Sequence, residues 1–205
     1  MFKIFNFKDN PKYIDKIANG EKLSYVDIPI NRISIIGGSG SGKSTLAELL
    51  SPKFDLPVIH LDAINYNSNW IQIDKNKRDS IILKNINNDK WIIDGNYNST
   101  LKDRLNKADL IIWLDYSTFA HLKGVFKRIL TGYKKERPDI PGCKERINFK
   151  FIKYTILYNK KKRPKIIEIL QNTPENKLLI FRKQRELNKW LKWFTEDENI
   201  LDNIR

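Results

Sequence analysis

Five short runs of apolar, largely β-branched residues recur along the chain, at 33–36, 58–61, 91–93, 110–114 and 178–181, with longer helical or polar stretches between them. Runs of this length without in-out alternation predict strands buried on both faces of a parallel sheet. Their alternation with helical segments predicts a doubly wound α/β fold, in which ligands bind at the carboxyl ends of the strands. Between strands, Ile73, Ile81, Ile82 and Ile86 predict a helix leading to the third run, and Phe119, Leu122, Val125, Phe126, Ile129 and Leu130 predict another with an apolar face. Gly132, Pro138, Pro141 and Gly142 then break that helix. The basic loop beyond it, bounded by helices, reads as a mobile lid over about 123–165. Leu187, Trp190, Leu191 and Phe194 share one face of a last helix, predicted to pack on the sheet as core. Residues 1–30 precede this pattern as an appended element, with 1–7 and 23–30 read as strands flanking a short helix, and 31–205 form the one domain.

The segment after the first run adds chemistry to this architecture. Gly37, Gly38, Ser39, Gly40, Ser41, Gly42, Lys43, Ser44 and Thr45 spell the complete phosphate-binding pattern G-x-x-x-x-G-K-S/T between a strand and a helix. Glycines let the backbone N–H groups turn inward around a polyphosphate. Lys43 reaches the β- and γ-phosphates and the Ser44 hydroxyl is placed to ligate Mg²⁺. ATP and Mg²⁺ are therefore the expected ligands.

The ends of the other strands supply the remaining candidates. Asp94, followed by Gly95, can hold the metal directly or through water, and Asp62 can orient or deprotonate an acceptor hydroxyl; each can instead be a helix cap. Asp115 reads equally as a cap. His60 reads as a packing residue on the same side of its strand as Asp62. Tyr66 and Trp70 can stack on a ring or close an apolar cluster over the acceptor site. Arg128, Arg137 and Arg146 are the lid arginines expected to stabilise transferring charge, with Arg163 a weaker fourth. Arg182, after the fifth strand, stands where such a fold places its chemistry.

Charge sharpens the lid. The chain carries +14 overall, and from Lys123 to Lys165 eleven lysines and four arginines face only Glu136, Asp139 and Glu145. Such a block can grip polyphosphate, bind nucleic acid, or form a solvated surface. The lone Cys143 excludes an internal disulfide and fits a reducing cytosol. No apolar run reaches the ~18 residues of a membrane span, and no signal peptide is evident, so a soluble cytoplasmic protein is expected.

Val58-Ile59-His60-Leu61-Asp62, Trp91-Ile92-Ile93-Asp94-Gly95-Asn96-Tyr97, Arg137-Pro138 and Gly142-Cys143-Lys144-Glu145-Arg146 together resemble the bacterial DNA topology modulation protein family, P-loop kinase-like relatives of adenylate and shikimate kinases. The resemblance runs over about 32–194. It implies a P-loop NTPase three-layer sandwich with a five-stranded parallel sheet, nucleotide-kinase-like, with an arginine-bearing basic lid, ATP and Mg²⁺. By similarity with nucleotide kinases, Asp94-Gly95 occupies the place of their Asp-Gly substrate-side motif, Arg128 that of the arginine opening the lid, and 181–185 the adenine side. Asn96-Tyr97 stands where adenylate kinases carry Pro-Arg, which argues against AMP as acceptor. The expected activity is transfer of the γ-phosphoryl of ATP to a small acceptor such as a nucleoside, nucleotide or related metabolite. An ATP-dependent nucleic-acid-binding or regulatory protein, a nucleic-acid end kinase, and simple hydrolysis of the triphosphate remain the alternatives.

Overall fold

The computed structural model describes residues 30–171, 173 and 177–195, the last three by backbone alone. In chain order, β1 (Arg32–Gly37) leads through the glycine loop into α1 (Lys43–Phe54), β2 (Val58–His60) and the short α2 (Leu61–Asn65). Next comes a small hairpin of β3 (Tyr66–Asn67) and β4 (Ile71–Gln72) around the 3-10 turn Ser68–Trp70, and then α3 (Lys75–Asn85), β5 (Trp91–Asp94) and α4 (Asn98–Lys107). The chain continues as β6 (Leu110–Leu114), α5 (Thr118–Gly132), a hairpin of β7 (Glu136–Arg137) and β8 (Ile140–Lys144), α6 (Phe149–Lys161), α7 (Arg163–Leu170), β9 (Leu178–Phe181) and α8 (Gln184–Thr195).

All five apolar runs are strands of one sheet, in the order β2-β5-β1-β6-β9, with every pairing parallel. Successive residues point to opposite faces and each face is covered by helices. Ile33, Ile35, Ile112 and Leu114 pack with Leu46 and Leu50 of α1 and with Leu187, Trp190 and Leu191 of α8. Ile36, Ile93, Ile111 and Trp113 pack on the other face with Ile82 of α3, Leu101 and Leu105 of α4, Tyr158 of α6 and Ile166 of α7. Burying one such side chain stabilises the fold by about 1.5–3 kcal/mol. The register pairs His60 with Asp94, Ile35 with Asp94 and Gly37 with Leu114, which brings the strand ends that carry polar residues to one edge.

Three expectations need correction. Of the apolar positions expected to form one face of α5, Val125 and Ile129 are buried, whereas Phe119, Phe126 and Leu130 are exposed. Six apolar positions span too wide an arc for a helix that rests on a narrow loop. The lid is not an irregular loop: its centre is the hairpin β7–β8. Asp62 does not continue β2 but lies in the first turn of α2, so it and His60 do not share a strand face. The element expected over 1–30 lies outside the described residues apart from Ile30, as does the side chain of Phe194.

Candidate phosphate-loop site

The glycine loop is held between two unlike flanks. On one side α5 lies so close that a Cβ on Gly124 would stand 1.9 Å from the Gly40 carbonyl oxygen, and a Cβ on Gly40 would stand 2.4 Å from the His121 carbonyl. Gly40 also has φ +76°, a conformation side chains disfavour. Two glycines thus allow backbone-to-backbone contact. His121 is fully buried here, its ring against Gly38 and edge-on to Tyr158 at 5.4 Å. Among the described residues no well-formed hydrogen bond reaches either ring nitrogen. Burial and then the Lys43 ammonium push its pKa down to about 4, against the opposing pull of Asp115 and the Leu114 carbonyl. It is a neutral imidazole at physiological pH.

The opposite flank is charged. The Ser44 hydroxyl donates to Asp94 Oδ2 at 2.8 Å, and Asp94 Oδ1 meets His60 Nδ1 at 2.6 Å. His60 Nε2 in turn meets Glu48 Oε1 at 2.9 Å. Burial opposes charge on this imidazole, but the Asp94 and Glu48 carboxylates outweigh it and push the pKa up to about 9. His60 is therefore a bridging imidazolium rather than packing. Asp94 is not a helix cap, since α4 begins four residues later.

Behind Asp94, the Asn96 side chain pins the start of the loop. Its Oδ1 accepts from the Gly37 N–H at 3.1 Å, and its Nδ2 donates to the Gly37 carbonyl at 2.6 Å. The fully buried Arg104 donates to the Gly95 carbonyl at 2.8 Å and the Asn96 carbonyl at 3.0 Å. Burial lowers its pKa to about 10, opposed by Asp94. Neither role is written in a motif. The one hint is that Arg104 shares the buried face of α4 with Leu101 and Leu105, where a charge needs a partner.

Lys43 is half-buried and donates to the Gly38 carbonyl at 3.0 Å, folded back on its own loop. Burial lowers its pKa; Asp94 and Asp62 favour its charge, while Arg128 and Arg137 oppose it. Four of the expected site residues therefore act electrostatically on one ammonium. Asp62 accepts from the Tyr97 hydroxyl at 2.8 Å, and Arg78 lies 4.7 Å from the Tyr97 ring centroid. Burial and Asp62 raise the Tyr97 pKa, so its hydroxyl keeps its proton. Arg128 pairs with Glu145 at 2.7 Å. Arg137 holds Asp139 through two bonds, at 2.9 and 2.6 Å. Asp139 is a carboxylate that the sequence does not single out. Burial opposes its charge, but Arg137 and Ser44 hold it below the usual carboxylate range.

Arg146 is placed differently from its two companions, with its guanidinium 5.8 Å from the Trp70 ring centroid. Arg163 pairs with Asp115 at 2.7 and 2.8 Å at the end of β6, outside the hairpin. Arg182 has an exposed side chain on the loop after β9, and its N–H is capped by Glu186. Ser44 and Asp94 form an all-oxygen pair that suits Mg²⁺, which binds through one or two carboxylates and substrate phosphates. Among the described residues no cluster of three or more His, Cys, Asp or Glu able to hold a metal occurs.

No protein-family model matches the chain. Over 121 residues it is 36% identical to an adenylate kinase of Buchnera aphidicola subsp. Baizongia pistaciae, covering 48% of this chain and 56% of that enzyme. The chain thus spans about half the length of this curated relative. Among solved structures it superposes on shikimate kinase from Bacteroides thetaiotaomicron with a TM-score of 0.51 at 16% identity, over 82% of this chain and 97% of that one. Shikimate kinase from Acinetobacter baumannii, in complex with shikimate, gives 0.50 at 15% identity, over 82% and 95%. The five-stranded parallel sheet with helices on both faces is the fold of the P-loop kinases, and half of the chain is similar in sequence to a nucleotide kinase.

Proposed function

We propose that the chain is an ATP-dependent phosphotransferase that moves the γ-phosphoryl group of ATP to a hydroxyl or phosphate of a small acceptor such as a nucleoside, nucleotide or related metabolite. The supporting observation is the convergence on Lys43 of Asp94, Asp62, Arg128 and Arg137, each from a different element. Phosphoryl transfer requires positioning and charge neutralisation more than covalent participation. The loop from Gly37 to Thr45 and Lys43 would grip the triphosphate, and Lys43 would exchange the Gly38 carbonyl for phosphate oxygens. Ser44 and Asp94 would hold Mg²⁺, which would supply charge neutralisation to the triphosphate. An acceptor hydroxyl would bond to the γ-phosphorus as the bond to ADP breaks, and its proton would pass to Asp62 once Tyr97 releases that carboxylate. Arg128, Arg137 and Arg146 would offset the charge spread over the transferring group, and Arg182 would lie on the nucleotide side.

Asn96-Tyr97, in the place of the Pro-Arg of adenylate kinases, supports an acceptor other than AMP, and the Asn96 side chain is committed to Gly37. The motifs at 58–62, 91–97, 137–138 and 142–146 support a place beside the bacterial DNA topology modulation proteins, and the single thiol supports a cytosolic setting. Among the described residues no helix is long and apolar enough to cross a membrane. A second reading, a nucleic-acid-binding regulator or end kinase, draws on the outer face of α5, where exposed Phe119, Phe126 and Leu130 alternate with exposed Lys123 and Lys127.

The test is ADP formation with Mg²⁺, alone and against a panel of nucleosides, nucleotides and sugar-like alcohols, with Lys43→Ala as control. Acceptor-stimulated turnover that falls at least ~10³-fold in the control is expected. Undiminished turnover in Lys43→Ala refutes the assignment. Steeply salt-dependent binding to single-stranded DNA, without stimulated turnover, would favour the second reading.

A further inference from the structure

Asn69 and Trp70 are consecutive non-glycine residues with φ of 63° and 64°. Asparagine tolerates this region, but a bulky aromatic residue enters it only when its surroundings dictate the conformation. The surroundings are the hairpin β7–β8. The Trp70 N–H donates to Cys143 Sγ at 3.3 Å, the indole Nε1–H donates to the Lys144 carbonyl at 2.8 Å, and the Cys143 thiol donates to the Asn67 carbonyl at 3.3 Å. Gly142, at φ +75°, leaves room for Ser68, whose Oγ would stand 2.3 Å from any Cβ there. The guanidiniums of Arg137 and Arg146 lie 5.6 and 5.8 Å from the indole centroid, and the Tyr66 ring meets it edge-on at 5.3 Å.

Each side of this contact leads to a different part of the site. The turn at Trp70 continues from α2, which carries Asp62, and is closed behind by the Ile73 N–H bonded to the Asn65 carbonyl. On the hairpin side, Arg137 grips Asp139, and Glu145, next to Lys144, pairs with Arg128 of α5, the helix that packs on the phosphate loop at Gly40. A continuous path of contacts therefore runs from the Asp62 side, through the indole, to the phosphate loop.

We propose that Trp70 is a positioning residue that latches the turn beside Asp62 to the arginine hairpin, so that the two sides of the site close as one body and Arg137 and Arg146 are placed only when that turn is docked. The proposal gives the acceptor side control over lid arginines that would otherwise serve ATP hydrolysis. In its catalytic consequence it rests on the phosphotransferase reading; in its mechanical content it does not.

Hydrogen exchange of the full chain separates the two. Without ligand, residues 66–72 and 136–144 should be protected together, and Trp70→Ala should raise exchange in both at least tenfold while β1 and β6 stay unchanged. Trp70→Phe keeps the ring under the arginines and loses only the bond to Lys144, so it should restore most of the protection. With MgATP added, the wild type should gain protection in both segments, and Trp70→Ala in neither or in 136–144 alone. If Trp70→Ala loosens only 66–72, or MgATP protects 66–72 in that variant as in the wild type, the latch is overturned. Should Trp70→Ala fail to fold, the Trp70→Phe comparison decides, since full loss of joint protection or none at all would each contradict a latch built on ring and bond together. If MgATP protects nothing in either wild type or Lys43→Ala, the phosphotransferase reading fails while the ligand-free comparison still judges the latch.

Discussion

The same residue type stands on both flanks of the phosphate loop and meets opposite fates. His60, between Asp94 and Glu48, is raised to about 9, whereas His121, packed under Gly38 beside Lys43, is lowered to about 4. Both are withdrawn from water, so burial alone cannot explain the difference. Two carboxylates in hydrogen-bond contact outweigh desolvation on one side, and a neighbouring ammonium adds to it on the other. The loop is thus wedged between a charged flank, where the proposed phosphate and metal contacts would form, and a dry flank packed against α5.

The largest effect expected from breaking this contrast comes from the charged flank. Asp94→Asn removes the charge that both Ser44 and His60 address, and turnover should fall about 10³-fold, equivalent to about 4 kcal/mol. Steady-state kinetics at saturating Mg²⁺ would check it, and activity within threefold of wild type would show that this carboxylate is not part of the working site.

Next come the two pH limbs, read from urea denaturation of the ligand-free protein. The folded pKa of His60 lies above the ordinary 6.5, so its contribution is fully present below pH 6.5 and is lost as pH rises through about 9. The folded pKa of His121 lies below 6.5, so the folded state binds fewer protons there and stability falls as pH drops from 6.5 towards about 4. Each limb is on the order of 3 kcal/mol at most. His60→Gln should flatten the alkaline limb and His121→Phe the acid one; if either variant flattens the other limb, the assignment of flanks is wrong.

The smallest effect is expected at the dry flank. Gly124→Ala places a methyl where the Gly40 carbonyl now sits, and a shift of α5 away from the loop should cost about 1–3 kcal/mol in stability. Calorimetry of ATP binding should weaken alongside the denaturation midpoint. An unchanged midpoint with unchanged affinity would mean that the loop does not lean on this helix.

The contrast between the flanks also separates what is legible without coordinates from what is not. The phosphate loop is legible because nine consecutive residues carry it, and the five strands because burial on both faces leaves unbroken apolar runs. Asp94 is legible as a carboxylate at a strand end. The partners of His60 are not, since Asp94 reaches it through the parallel register and Glu48 from helix α1. Asn96 and Arg104 bond to backbone carbonyls and N–H groups, which every residue offers, so no side-chain pattern announces them. The exposed stripe of α5 defeats the periodicity because apolar spacing reports a helix but does not say how wide its bed is. In the lid hairpin β7 has only two residues, and β8 carries Pro141 and Gly142, which read as turn formers rather than strand.

The contact between Gly40 and Gly124 gives α5 a mechanical character. This helix of fifteen residues crosses the loop near its middle and runs directly into the arginine hairpin. From Gly124 to Gly132 the arm is about 12 Å at 1.5 Å per residue. A rigid rod resting on a fulcrum carries any tilt to its far end, so a shift of α5 at Gly40 would be felt at the hairpin, and a push on the hairpin would return to the loop.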